Sequence, residues 1–211
     1  MRIALIGATG YVGSRILTEA LNRGHYVTAI VRDTSKLPVH ARLTPKRGDI
    51  FDTDGLPALL AGHDVVISAV QFTKSDPHLL INAVKKAKVP RYLVMGGMGS
   101  LITPSGMMVV DDPAFPKSVK PIHKDPNIEA PAGIVFLNVL KSETELDWTF
   151  LSPSGKPVPG QRTGKFRVGK DHLLVDNNGK ISNLSLEDIA VAMLDEVEKP
   201  QHSRQRFTIG Y

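Results

Sequence analysis

Gly7, Gly10 and Gly13 stand three residues apart, behind the apolar run Ile3-Ala-Leu-Ile6 and ahead of a helical pattern that puts Val12, Ile16, Leu17 and Ala20 on one face. In a strand-to-helix turn each glycine has a mechanical task. Gly7 admits the tight turn, Gly10 lets the backbone approach a bulky anion, and Gly13 lets the helix pack close to the sheet. The N–H groups of Gly10, Tyr11 and Val12 then sit at the positive end of the helix dipole, where phosphate oxygens bind. No Gly-Lys-Ser/Thr follows, so a Walker A loop is excluded and the expected ligand is the pyrophosphate of a dinucleotide.

The second apolar run, Tyr26 to Val31, ends at Arg32-Asp33. An acidic residue in first place there would accept from a ribose 2′-hydroxyl, whereas a guanidinium takes a 2′-phosphate in two parallel hydrogen bonds. Arg32, with Lys36 one turn on, therefore points to NADP(H), and Asp33 keeps NAD(H) open. Asp49, after a weaker third run, either accepts from an adenine amino group or caps the next helix.

These residues need a scaffold that delivers strand ends to one edge. Strand-like runs at Ile3 to Ile6, Tyr26 to Val31, Leu43 to Arg47, Asp64 to Val70 and Arg91 to Met95 alternate with helical stretches at Tyr11 to Asn22, Leu56 to Ala61 and Pro77 to Ala87. That rhythm predicts an α/β fold, a Rossmann-type doubly wound parallel sheet. From Ser100 to Pro131, six prolines (Pro104, Pro113, Pro116, Pro121, Pro126 and Pro131) predict a long excursion of the kind that forms lids. A helix from Ile134 to Glu145 and a strand from Asp147 to Leu151 follow.

Gly164 to Val168 and His172 to Val175 read as a short strand pair, with turn chemistry at Asp176-Asn-Asn-Gly179. Ser185-Leu-Glu-Asp188 reads as a capping-box start to a helix over Leu186 to Val197, and Arg206 to Ile209 as a closing strand. The expected organisation is one domain over residues 1–211, with a core over about 1–151 and a small C-terminal substrate lobe over about 152–184.

Composition narrows the function. The chain has no cysteine, which excludes a thiol nucleophile, thiolate metal ligands and disulfides, and agrees with a cytoplasmic setting. Seven histidines make no i, i+4 pair, so no metal site is expected. A net charge of +5 raises nucleic acid as a partner, but aromatic content of 6% leaves no stacking surface, and no nucleic-acid partner is expected. No apolar run approaches the roughly 20 residues needed to span a bilayer, so no membrane partner is expected either.

The segments IALIGATGYVGSRILTEALNRGHYVTAIVR, GHDVVISAV, RYLVMGGMGS, LDWTFLSP and RTGKFRVG, with the closing RQRFTIGY, resemble the NmrA-like atypical short-chain dehydrogenases/reductases. The likeness runs through essentially the whole chain. It is nearest to the NADH-flavin reductase group and more distant to biliverdin IXβ reductase, which also reduces flavins. The resemblance implies hydride transfer from NADP(H) or NAD(H) to a small planar acceptor, a flavin bound as substrate rather than held tightly. It also implies cofactor contacts at Gly7, Thr9, Gly10, Tyr11, Val12, Arg32, Ser35, Lys36, Asp49, Ile50, Ala69, Val70, Met95, Gly96 and Pro153, with the nicotinamide near Gly96, Gly97 and Pro153.

Departures from the family pattern bear on the acceptor. The Tyr-x-x-x-Lys of carbonyl-reducing relatives corresponds to Leu137-Asn-Val-Leu-Lys141, which lacks the tyrosine. Gly97 and Gly155 stand where the biliverdin reductase has serine and histidine. Flavin reduction tolerates such losses, because it mainly requires stacked rings while solvent supplies the proton.

Gly96, Gly97 and Gly99 either form a flat floor for the acceptor or merely end the fifth strand. Met98 either lines an apolar pocket or fills the core, and Ser154 and Lys156 are candidates to touch substrate. Two other functions stay open on the same scaffold: a regulatory protein that senses NAD(P) without turnover, and an epimerase or carbonyl reductase.

Overall fold

The computed structural model describes residues 1–114 and 126–211, with side chains in the second span from Glu129 onward. An eight-stranded sheet organises the chain. Its strands are β1 (Arg2–Ile6), β2 (Tyr26–Val31), β3 (Leu43–Arg47), β4 (Val65–Ser68), β5 (Arg91–Met95), β6 (Asp147–Pro153), β8 (Arg167–Gly169) and β10 (Gln205–Gly210). They lie in the order β3-β2-β1-β4-β5-β6-β10-β8, and all pairs are parallel except β10 with β8. The order reverses at β1, with β2 and β3 on one side and β4 to β6 on the other, the switch point at which such sheets bind ligands.

Both faces are covered, so the central strands are apolar on both sides. Ile3 and Leu5 of β1 join the layer beneath α1 (Gly13–Asn22) and α5 (Leu186–Glu198), where Ile16, Leu17, Ala20, Ile189, Met193 and Val197 are buried. Ala4 and Ile6 join the opposite layer, beneath α2 (Gly55–Leu60), α3 (Pro77–Lys86) and α4 (Pro126–Ser142), with Leu56, Leu60, Leu80, Val84, Phe136 and Leu140. The Asp76 carboxylate caps α3, accepting from the N–H groups of His78 and Leu79, and Pro77 opens the first turn.

Three expectations need correction. The strand pair over 164–168 and 172–175 does not form. β8 instead pairs antiparallel with β10, and His172 makes an isolated parallel bridge to Ile102. The open edge of β10 takes the segment through three residue pairs, Thr208 with Gly169, Ile209 with Val168 and Gly210 with Arg167. A separate two-stranded parallel sheet, β7 (Gly155–Val158) with β9 (Ser182–Ser185), occupies the stretch expected to form the lobe.

The helix expected from Ile134 begins at Pro126 and runs through Pro131, whose exposed ring faces solvent where the missing N–H costs least. Pro116 and Pro121 lie outside the described residues. The capping box at α5 is half made. Ser185 Oγ accepts from the Asp188 N–H, but the buried Asp188 carboxylate accepts instead from Thr163, Gly164 and the Tyr211 hydroxyl. Burial raises the Asp188 pKa, but these donors outweigh it and hold the carboxyl below its ordinary value.

The excursion after β5 is a hydrogen-bonded strap over residues 97–114. Ile102 and Met108 bridge antiparallel, Val109 N–H donates to Leu101 O, and Val110 N–H donates to Gly99 O. Asp112 ties it internally, accepting from Thr103 Oγ1 at 2.6 Å, Ser105 Oγ at 2.7 Å and the Ala114 N–H at 2.9 Å.

Candidate functional site

One cavity of about 1350 Å³ runs along the carboxyl ends of β1 to β6 and under the strap. A pocket for a single small ligand typically holds about 300–1,000 Å³, so this one has room for more than one such guest.

At its centre is the β1–α1 turn. Gly7 has φ +86°, and a Cβ there would fall 2.6 Å from Ala69 O on β4's extension. A Cβ on Gly13 would lie 2.1 Å from Gly7 O, so the helix can meet the turn only through a glycine. Gly13 is buried behind the cavity rather than facing it. The Gly10 N–H is not free as expected: it donates to Gly7 O at 2.9 Å. The N–H groups of Tyr11 and Val12 find no partner among the described residues, α1 has no side-chain cap, and no acidic residue sits in its first turn. Those two donors, with Thr9 and Gly10 beside them in the wall, suit a phosphate.

Toward β2 and β3 the wall is Arg32, Gly48, Asp49, Ile50 and Phe51. Arg32 is exposed to the cavity and has no partner among the described residues. Asp33 folds back into its own turn, accepting from the N–H and Oγ of Ser35 at 3.0 and 2.7 Å, with Lys36 Nζ at 4.0 Å. The Ser35 hydroxyl, with its N–H and the Lys36 and Arg47 charges, holds the Asp33 carboxyl below its ordinary value.

The Ser35 N–H and hydroxyl are thus engaged by Asp33, while the Lys36 side chain is exposed; neither residue is in the cavity wall. Asp49 is not the cap of α2. It accepts from the Phe51 N–H, and Asp52 receives the Gly55 N–H instead.

Toward β4, β5 and β6 the wall is Ala69, Val70, Met95, Gly96, Gly97, Met98 and Pro153. The two readings of the glycines divide between neighbours. A Cβ on Gly96 would lie 2.1 Å from Phe150 Cε1, so this glycine serves packing, whereas a Cβ on Gly97 would meet nothing within 4 Å and opens on the cavity. Ser154 does not touch the cavity. It is 1% exposed, its Oγ pairs with Thr208 Oγ1 at 2.6 Å and accepts from the Leu174 N–H, while Lys156 does line the wall. Met107 and Met108 are exposed and lie outside it.

The helix position assigned to Tyr-x-x-x-Lys also needs correction. α4 shows the cavity Glu129, Ala130, Gly133 and Ile134, whereas Leu137 is buried in the core and Lys141 is exposed. The cavity-facing turn carries no phenol and no lysine. Sequence reading missed Glu129 and Asp112, two buried carboxylates in the wall. Glu129 had no local signal, since it binds Phe72 and Thr73 on a distant loop, whereas the partners of Asp112, namely Thr103, Ser105 and Ala114, all lie within its own segment. The Thr103 and Ser105 hydroxyls, with the Ala114 N–H, hold the Asp112 carboxyl below its ordinary value. Among the described residues no three side chains are grouped to hold a metal, and no helix is long and apolar enough to cross a membrane.

The description of an NAD(P)H-binding family matches residues 7–200. A Bacillus subtilis protein of uncharacterised function, YwnB, is 36% identical over 219 aligned positions, which cover 99% of this chain and 98% of that protein. Among solved structures, a Bacteroides thetaiotaomicron protein described as an epimerase candidate is 41% identical, covering 100% of this chain and 96% of its own, with a TM-score of 0.89. A Streptococcus pneumoniae protein described as an NADH-flavin reductase candidate is 29% identical, covering 100% and 99%, with a TM-score of 0.78.

Proposed function

As this chain belongs to the NAD(P)H-binding family of atypical short-chain dehydrogenases/reductases, we propose that it is an NADPH-dependent reductase whose acceptor is a flavin or a similarly flat molecule that binds transiently. When bound, the dinucleotide supplies a hydride from its nicotinamide ring. Everything else is the work of the chain. Tyr11 and Val12 direct two unpaired N–H groups toward the pyrophosphate position at the start of α1. Arg32 offers an unpaired guanidinium for a 2′-phosphate, and the folded-back Asp33 is in no position to favour a 2′-hydroxyl instead. Asp49, Ile50 and Phe51 suit the adenine, and Ala69, Val70, Met95, Gly96 and Pro153 suit the ribose and nicotinamide.

The observation that carries the reading is the other end of the same cavity. Gly97 leaves the floor without a side chain, Met98, Val109, Val110, Pro113 and Ile134 make the surroundings apolar, and α4 presents no proton-donating tyrosine. A carbonyl acceptor needs a proton delivered to its oxygen as the hydride arrives, whereas an isoalloxazine needs stacking and takes its proton from solvent. A wall that can hold a ring flat, and whose α4 face brings no tyrosine to it among the described residues, favours the flavin. The cysteine-free chain favours the cytoplasm.

The test is NADPH oxidation by pure protein with FMN or FAD, followed at the nicotinamide absorbance band. Turnover well above the uncatalysed rate is expected, and none would sink the reading. The missing donor also favours a second reading, a sensor of the NADP⁺/NADPH ratio. That reading requires redox-selective binding and no turnover of any acceptor.

A further inference from the structure

Glu129 is a carboxylate only 9% exposed, in the first turns of α4, and it lines the cavity. Its oxygens are fully engaged by another segment: Oε1 accepts from the Phe72 N–H at 2.5 Å, and Oε2 accepts from the Thr73 N–H at 3.0 Å and Thr73 Oγ1 at 2.6 Å. Phe72 and Thr73 belong to the short turn after β4, directly beyond Ala69 and Val70 on the donor side. Ala130, Gly133 and Ile134, beside Glu129, stand on the acceptor side. One side chain thus joins the two walls.

The joint bears on the floor. Phe72 lies against Phe136, centroids 5.3 Å apart, and stacks on Phe150 at 6.0 Å and 16°. Phe150 fills the space beneath Gly96, where a Cβ would come within 2.1 Å of its ring, and a Cβ on Gly133 would come within 3.0 Å of Phe72. A run of contacts therefore leads from Glu129 through Phe72 and Phe150 to the turn expected to hold the nicotinamide, and from Phe72 to α4. Interiors packed this closely transmit a shift of one ring to the next.

We infer that Glu129 is a positioning residue for hydride transfer: by holding Phe72 and Thr73 it fixes the gap between the Gly96–Gly97 floor and α4, and so how closely a planar acceptor can lie to the nicotinamide. Its role in this inference is to hold Phe72 and Thr73, whose donors both of its oxygens accept. The inference rests on the proposed reductase function. It predicts that loss of this side chain impairs the chemical step more than dinucleotide binding, because Tyr11, Val12 and Arg32 do not depend on the joint.

The test is Glu129→Gln and Glu129→Asp in the full chain, with Thr73→Val as a milder variant that keeps the backbone donors. The amide of Gln offers one acceptor where two oxygens served three donors, so one of its N–H groups opposes another N–H. With NADPH and FMN, Glu129→Gln should lower kcat about tenfold or more while the NADPH dissociation constant changes less than about threefold. The primary isotope effect on kcat with deuterated NADPH should rise as hydride transfer becomes limiting. Glu129→Asp should recover part of the rate, and Thr73→Val should lose severalfold with the same rise in isotope effect.

Equal losses of NADPH affinity and turnover, or an unchanged isotope effect in the folded Thr73→Val variant, would overturn the inference and leave the reductase reading intact. A wild-type protein that neither binds nor reduces flavin would remove both.

Discussion

The two ends of the cavity are built on different principles. The donor end is made by backbone: one turn, two unpaired N–H groups and glycines whose absent Cβ atoms are dictated by carbonyls at 2.6 and 2.1 Å. The acceptor end is made by side chains from separate segments: Glu129 holding Phe72, Phe150 under Gly96, and Arg206 bracing the strap from β10. The Arg206 guanidinium donates to Ser100 O at 3.0 Å, Ser100 Oγ at 2.8 Å and Asp171 Oδ1 at 2.9 Å. A backbone turn tolerates almost no change in its own residues and is bounded chiefly by other backbone, such as Ala69 O. A side-chain site depends on partners far away and can be retuned one contact at a time.

The sharpest way to break this contrast is at the donor turn. Gly13→Ala puts a methyl 2.1 Å from a carbonyl oxygen that cannot retreat without opening the β1–α1 turn. Overpacking typically costs about 1–3 kcal/mol, and a methyl against a backbone carbonyl puts this one at the upper end. Urea unfolding should show that loss, with NADPH binding abolished in whatever folds. A Gly13→Ala variant of ordinary stability would mean that the turn is softer than its contacts imply.

Next in size is Arg206→Ala, which leaves Asp171 and Ser100 without their partner. Removing one member of a buried charged pair typically costs about 3–5 kcal/mol, and the half-exposed Asp171 should bring this one to about 2 kcal/mol. Proteolysis within residues 97–114 should accelerate while NADPH affinity stays within about twofold. Loss of NADPH binding instead would show that the two ends are not independent.

The same contrast explains what was legible in the sequence. The parallel sheet, its flanking helices and the glycine turn are local patterns, readable from periodicity and spacing. Arg32 and Asp49 follow, because each ends a strand whose position was already set. Ser154 was a candidate to touch substrate because it follows a strand end at the expected site, but its partner Thr208, which buries it, comes from β10. β8 misled because the edge that captures it is made last in the chain. Glu129 was invisible for the same reason: in sequence it lies beside Pro131, which argued against any helix there, and its three donors lie more than fifty residues away.

Arg32→Ala sharpens the donor end alone. A charge-assisted hydrogen-bonded contact contributes about 1.5–3 kcal/mol, so NADPH should bind about ten- to a hundredfold more weakly, with NADH changed less than about threefold. Equal losses for both would remove the guanidinium from the 2′-phosphate.

The strap has a further acid-sensitive tie. Because its donors depress the folded-state pKa of Asp112, the tie stabilises the strap fully above the unfolded value of about 3.9 and is lost as pH falls through the lower folded value. Hydrogen exchange of residues 99–110 should be insensitive to pH across neutrality, once corrected for intrinsic rates, and lose protection only in strong acid. Asp112→Asn should remove that acid step. Loss of protection near pH 6 would point to a different group.

The smallest effect separates neighbours. Gly96 and Gly97 share a turn, but only Gly96 has a ring beneath it, so Gly97→Ala should leave stability within about 0.5 kcal/mol of wild type. The new methyl would stand on the cavity floor, where it meets no protein atom within 4 Å, and so would touch only what occupies the cavity. If that occupant is a flat ring lying on the floor, its KM should rise severalfold while urea unfolding and NADPH affinity stay unchanged. A Gly97→Ala variant with unaltered kinetics toward FMN would mean that the acceptor does not lie on this surface. The acceptor end would then have to be sought under Val109 and Val110, on the strap itself.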